Sequence, residues 1–170
     1  MKKAFSILFL MTILSSCGGN EQNKAEEQAE QIQKAVKENR PGTVPTSEDG
    51  WTMKAKVDGK DWVAAYMMMP PDDVTRIIGY KDEQEYIGFS IDKRSLSVGR
   101  KITFSESNVV DLATDDDIGM WGGRKGEIEI TKVDDKWAEG KFFFTASTSR
   151  SNKTVEVTDG FFRVSLAKNQ

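Results

Sequence analysis

The sequence predicts an all-β domain, either an antiparallel β-sandwich or a partly open β-barrel of roughly eight to nine strands. Apolar and polar residues alternate with a period of two over most of residues 51–166, as they do on strands with one buried face. Turn pairs such as Asp58-Gly59 and Asp134-Asp135 separate the alternating segments. No helical periodicity of useful length occurs in this part of the chain.

A β-meander over residues 126–164 carries the clearest alternation. In its second segment Phe142 and Phe144 share one face, and Phe143 lies on the opposite face between Lys141 and Thr145. In its last segment we expect Asp159-Gly160 to form a hairpin turn. The other strands are expected at residues 51–57, 60–69, 74–80, 85–92 and 100–105, and residues 107–126 are expected to be irregular.

The predicted strand 60–69 is apolar on both faces, so something must cover its second face. We expect Met67 and Met69 to be buried against residues 107–126, because monomers seldom leave large apolar patches bare. The alternative is that these flexible methionines form a binding surface for a ligand or partner.

The N-terminus combines Lys2 and Lys3, a short apolar run, and the sequence Leu-Ser-Ser before Cys17, which is the only cysteine. This pattern resembles the lipobox of bacterial lipoproteins. The resemblance implies a signal peptide over residues 1–16, a lipid on Cys17 and attachment to a membrane. Gly18-Gly19, with no aspartate directly after the cysteine, resembles lipoproteins of the outer membrane, facing the periplasm or the cell surface. An ordinary secretory signal or an uncleaved anchor is the alternative.

Residues 17–50 are expected to be a flexible, partly helical tether before a β domain at 51–170. Glu, Gln, Lys and Ala dominate its first part. A thin apolar stripe there could dock on a partner or a second copy, although a solvated spacer is the interpretation we favour; the stripe consists of Ala25, Ala29, Ile32 and Val36.

Four segments of the domain resemble a family of small gram-negative lipoproteins. They are MKAKVDGKDW (53–62), GEIEITKVDD (126–135), GKFFFTAS (140–147) and KTVEVTDGFF (153–162). The resemblance implies an all-β, lipid-anchored domain, and its motifs are turns, glycines and core aromatics. No activity comes with it.

Composition narrows the possible chemistry. The chain has no histidine, which argues against imidazole catalysis and most zinc sites. Removal of residues 1–16, which contain Lys2 and Lys3 and no acid, moves the formal charge from −3 to −5. An acidic chain without a basic stripe is not expected to bind nucleic acid, and we expect no cofactor.

Two loop clusters are candidate sites. Asp115, Asp116 and Asp117 could ligate calcium, but their spacing does not match an EF-hand, so we expect a solvated acidic loop. Met120 and Trp121, beside Arg124, could anchor a sugar ring or a protein partner. The alternative is that the tryptophan folds back onto the core.

Together these features predict an outer-membrane-anchored lipoprotein with a non-enzymatic β domain that binds a protein, glycan or small apolar ligand through loops. A carboxylate-dependent hydrolase is the alternative. Another is a lipid or hydrophobe carrier, if the sheet closes into a hollow barrel.

Overall fold

The computed structural model describes residues 42–70, 74–92, 96–105, 109–116 and 118–166. Within these ranges the regular structure is entirely β. The strands are β1 (Thr43–Pro45), β2 (Thr52–Val57), β3 (Lys60–Val63), β4 (Tyr66–Met68), β5 (Val74–Tyr80), β6 (Tyr86–Asp92), β7 (Lys101–Ser105), β8 (Val110–Ala113), β9 (Met120–Val133), β10 (Trp137–Thr148) and β11 (Ser151–Ser165). The described part of the chain contains no helix long and apolar enough to cross a membrane.

All strands belong to one antiparallel sheet of 11 strands, in the order β1-β4-β5-β6-β8-β9-β10-β11-β2-β3, with β7 beside β9. The prediction of an all-β antiparallel fold is therefore confirmed. The strand count exceeds the predicted one because short strands are hidden in segments without clear alternation. Strand pairing does not close the sheet, so it fits a sandwich or a partly open barrel.

The hairpin between β2 and β3 forms where the sequence predicts it. Asp58 and Gly59 have φ angles of 48° and 76°, the positive values that a two-residue hairpin of type I′ requires. The second predicted turn pair behaves differently. Asp159 has a φ of 52°, but β11 continues straight through Asp159-Gly160.

The prediction of a turn at Asp159-Gly160 is thus wrong, because the pair forms a β-bulge. On β10 the pairing jumps from Phe142 opposite Gly160 to Phe144 opposite Val157, so an extra residue is accommodated in β11. A bulge tolerates the same positive φ as a hairpin turn, so the local sequence does not distinguish the two.

The predicted strand 60–69 is broken at Ala64-Ala65. Its first half, β3, pairs with β2, and its second half, β4, pairs with β1 and β5. The two halves therefore belong to opposite ends of the strand order. This break explains why the segment does not keep one apolar and one polar face.

Two segments predicted to be irregular contribute strands. Residues 43–45, expected in the linker, pair with β4 as β1. The region 107–126 contains β8 and the start of β9. Its glycines suggested a loop, but Gly123 serves close packing, because a Cβ there would lie 2.8 Å from the Cβ of Val110 and 3.2 Å from the ring of Phe104.

The main core lies on one face of the sheet and is rich in aromatic rings. Phe89 packs against Phe142 and Phe162, with centroid distances of 5.4 and 5.1 Å. Met67 is buried in this core, as expected, and Met69 packs against it partly buried. The same core contains Val110, Leu112 and Trp121 from the segment 107–126, while the strand that carries Met67 pairs with β1 and β5. A smaller cluster covers the opposite face of β4 and β5; it comprises Tyr66, Ile78 and Tyr80, with Met68 and Tyr86 beside it.

Candidate functional site

The tryptophan that the sequence offered as a loop anchor is buried. Trp121 is 2% exposed, and its Nε1 donates a hydrogen bond of 2.8 Å to Thr114 Oγ1. Met120 and Arg124 lie on the exposed side of β9. Met120 accepts a hydrogen bond from the hydroxyl of Tyr86 at its sulfur, over 3.3 Å. The pattern of alternating strand faces therefore separates the three residues, and only Met120 and Arg124 remain on the surface.

The second candidate surface, at Met67 and Met69, is not open to solvent. Met67 is 0% exposed and Met69 is half-buried, in contrast to Val63 of β3, which is 57% exposed. Met67, on β4, is a core side chain, and Met69, just after β4, packs against the same core.

The acidic loop is organised as a turn. Asp116 Oδ1 accepts hydrogen bonds from the hydroxyl of Thr114 at 2.8 Å and from the backbone N–H groups of Ile118 and Gly119 at 3.1 and 3.0 Å. These bonds, chiefly that from Gly119, hold the pKa of Asp116 below its ordinary value. Asp115 is exposed, and Asp117 lies outside the described residues. Within the described ranges, no group of three or more acidic or cysteine side chains could hold a metal ion.

A different surface combines exposed aromatic side chains with a groove. We define the Phe143–Phe161 surface as Phe143, Phe161, Lys54 and Lys141 on the outer face of β10, β11 and β2. Phe143 is 53% exposed and Phe161 is half-buried. A groove of about 550 Å³ runs between the two rings. A second groove of about 410 Å³ lies on the other side of Phe143, toward Phe104 and Thr103.

The β-bulge shapes the first groove. Gly160 is paired with Phe142 and has no side chain, and the extra residue in β11 leaves Phe143 without a paired neighbour on that strand. Thr158 and Asp159 line the groove at this point. The irregularity in the sheet therefore leaves a concave space beside an exposed phenylalanine, which a regular sheet face would not provide.

The acids along this surface are paired with lysines. Lys101 Nζ lies 2.8 Å from Glu127 Oε1 and 3.9 Å from Glu129 Oε2. The hydrogen bond to Glu127 is the largest cause of the raised pKa of Lys101. Lys56 Nζ lies 3.1 Å from Asp159 Oδ2. These partly exposed pairs contribute little to stability, but they place a lysine ammonium beside each groove carboxylate.

Another groove, of about 380 Å³, lies where the hairpin after β2, the loop after β5 and the acidic loop meet. Its lining includes Trp62, Leu112, Asp61 and the ion pair of Lys81 with Glu85, whose N–O distance is 2.7 Å. Within the described part of the chain, the buried Nε1 of Trp62 has no hydrogen-bond partner. The lining of this groove is more polar than that of the two grooves beside Phe143.

The sequence carries a signal for the exposure of Phe143. Phe142 and Phe144 lie on one face of the strand, and Phe143 lies on the other face with Lys141 and Thr145. The alternation therefore places an aromatic residue on a polar face. The groove beside Phe143 could not be predicted, because the residues that form the bulge in β11, Asp159-Gly160, are equally typical of a hairpin turn.

Comparison with curated proteins and with solved structures gives no match. A family model described as a domain of unknown function, DUF6252, matches residues 50–164. The match spans almost the whole described sheet, from the residue before Trp51 to Val164. The chain belongs to the DUF6252 family.

Proposed function

We propose that the protein is an outer-membrane-anchored lipoprotein whose β domain binds a partner non-enzymatically through the Phe143–Phe161 surface. The observation that carries this proposal is the 53% exposure of Phe143 between two grooves on the outer face of β10. Exposed aromatic residues beside concave space are typical of interface anchors, because burying them on binding removes a large apolar area from water.

The anchoring half of the proposal rests on the sequence. The lipobox-like residues before Cys17 support it, and they lie outside the described residues. A lipid at this position would hold the domain at a membrane surface, with residues before the sheet as the connection. The sequence suggested a binding site in the loops, but Trp121 is buried, which favours the sheet face as the binding site.

A non-enzymatic role is favoured by the state of the acids. A general acid needs a carboxyl group whose pKa is raised toward neutrality. In the part of the chain that the structure describes, Asp116 and Asp134 are the carboxyl groups with a clear shift, and both have lowered pKa values. The chain also has no histidine. The carrier alternative needs a hollow interior, whereas the rings of Phe89, Phe142 and Phe162 fill the described core.

Site-specific photocrosslinking in the native envelope tests the binding site. A photoreactive phenylalanine analogue would replace Phe143, and the same analogue at Val98, which is 65% exposed, is the control. We expect a discrete crosslinked product from position 143 that is absent from position 98. Identical products from the two positions, or none from either, would contradict the proposed surface.

Fractionation tests the anchor separately. We expect Cys17→Ser to remove the protein from the outer-membrane fraction and to leave the melting temperature of the β domain unchanged. Retention of the variant in that fraction would show that the lipid is not the anchor.

A further inference from the structure

The ring of Phe161 lies between two lysines on neighbouring strands. The register places Lys141 of β10 on one side of it and Lys54 of β2 on the other. Lys54 Nζ is 5.9 Å from the ring centroid, and the guanidinium carbon of Arg163 is also 5.9 Å from it. Aromatic rings attract cations through their quadrupole, so positive charge is concentrated at the middle of this face.

Most of the other charges on the face are neutralised within the protein. Arg163 Nε lies 2.9 Å from Glu139 Oε1. The groove acids Glu127, Glu129 and Asp159 are held by Lys101 and Lys56, as described above. Lys54 and Lys141 are exposed and, among the residues that the structure describes, have no carboxylate within ion-pair distance.

Lys141 lies opposite Glu129 in the strand register, but the carboxylate of Glu129 is within ion-pair distance of Lys101 and not of Lys141. Among the described residues, the surface therefore presents two lysines without an ion-pair partner, on a chain whose formal net charge is −3. An anionic group above Phe161 can pair with both lysines without breaking an existing ion pair. We infer that the Phe143–Phe161 surface binds an acidic, extended segment of a protein. Its carboxylates lie toward Lys54 and Lys141, and an apolar side chain packs against the phenylalanines. This inference deepens the proposed function and rests on it.

A protein segment fits the surface better than an anionic glycan. Val63 of β3 lies opposite Lys54 in the strand register and so borders this surface. Phe143 and Val63 are exposed by 53% and 57% and carry no polar side-chain atoms, whereas sugar hydroxyl groups benefit from polar partners such as the Trp N–H or Tyr O–H. Strands β10 and β2 lie on either side of β11, so the backbones that carry the two lysines are about 9–10 Å apart. In an extended peptide, residues i and i+4 lie on one side about 13 Å apart, within reach of two flexible lysine stems.

The test measures binding of the full chain in detergent micelles to a fluorescent peptide, Gly-Glu-Ser-Phe-Ser-Glu-Gly, by anisotropy. The matched peptide has Gln in place of both Glu residues. The variant is Lys54→Gln with Lys141→Gln, and the charge-matched control is Lys60→Gln with Lys153→Gln, two exposed lysines outside the surface. An oligogalacturonate serves as the anionic glycan competitor.

We expect the Gln peptide and the Lys54/Lys141 variant each to weaken binding at least tenfold, and the control variant to bind within twofold of the parent. Equal binding of the two peptides, no measurable binding of the acidic peptide, or stronger binding of the oligogalacturonate would overturn the inference. If the peptide fails while position 143 still crosslinks a discrete partner in the envelope, the proposed function stands and only the acidic partner class is wrong. If the peptide does not bind and position 143 gives no discrete crosslinked product, the proposed function is wrong as well.

Discussion

The bulge at Gly160 offers the most direct test of the packing in this sheet. A Cβ added to Gly160 would overlap the carbonyl oxygen of Phe142 and lie 2.5 Å from Cδ2 of its ring. Gly160 has no positive φ, so the cost of Gly160→Ala comes from space rather than from backbone strain. Phe142 is 3% exposed and packs against Phe89 and Phe144, so its ring cannot move aside freely.

The size of the effect follows from opposing terms. Overpacking in a dense core costs about 1–3 kcal/mol, and a clash with a backbone carbonyl places Gly160→Ala at the upper end. Alanine has fewer conformations than glycine in the unfolded chain, which raises the free energy of unfolding by about 0.4–1 kcal/mol and offsets part of this cost. The expected net loss is about 2 kcal/mol, which for a domain of this size corresponds to a fall in melting temperature of about 8 °C.

Thermal unfolding followed by circular dichroism measures this loss, with Gly122→Ala as the matched control. A Cβ at Gly122 would meet no atom nearer than the Ser147 oxygen at 4.0 Å, so that variant should melt close to the parent protein. Phe142→Leu should be less harmful in the Gly160→Ala background than alone, because a smaller side chain makes room. A Gly160→Ala melting temperature within about 2 °C of the parent would refute the packing argument.

Two further predictions use pairs of matched residues. Trp121→Phe should destabilise the protein by about 1 kcal/mol more than Trp62→Phe, because only Trp121 loses a hydrogen bond and leaves Thr114 without its donor; a costlier Trp62→Phe would contradict this. The backbone N–H groups of Lys136 and Trp137 lower the pKa of Asp134 from 3.8 to about 2, so the stabilisation from its carboxylate is present above pH 3.8 and lost as the pH falls through about 2. The melting temperature of Asp134→Ala should therefore lie below that of the parent at pH 7 and converge with it near pH 2, and Asp135→Ala should show no such pH-dependent gap.

The local sequence was sufficient to predict those elements whose residue pattern is compatible with only one structure. Alternation with Phe142 and Phe144 inward predicted the long strands of the meander, because a one-residue slip would expose both rings. Asp58-Gly59 predicted its hairpin, because a two-residue turn with positive φ angles brings the two segments that flank it directly alongside each other. The all-β class followed from the number of such segments.

Tertiary contacts decided the features that carry the candidate site. Asp159-Gly160 is a bulge rather than a turn because β11 has a partner on each side at that point, β10 and β2. The segment 60–69 breaks at Ala64-Ala65 because its halves join opposite ends of the sheet. Met120 and Trp121, adjacent in sequence, part to opposite faces because residues 120–122 pair with β8. Each of these outcomes depends on which strands lie alongside, and pairing between distant segments is not encoded in any local pattern of residues.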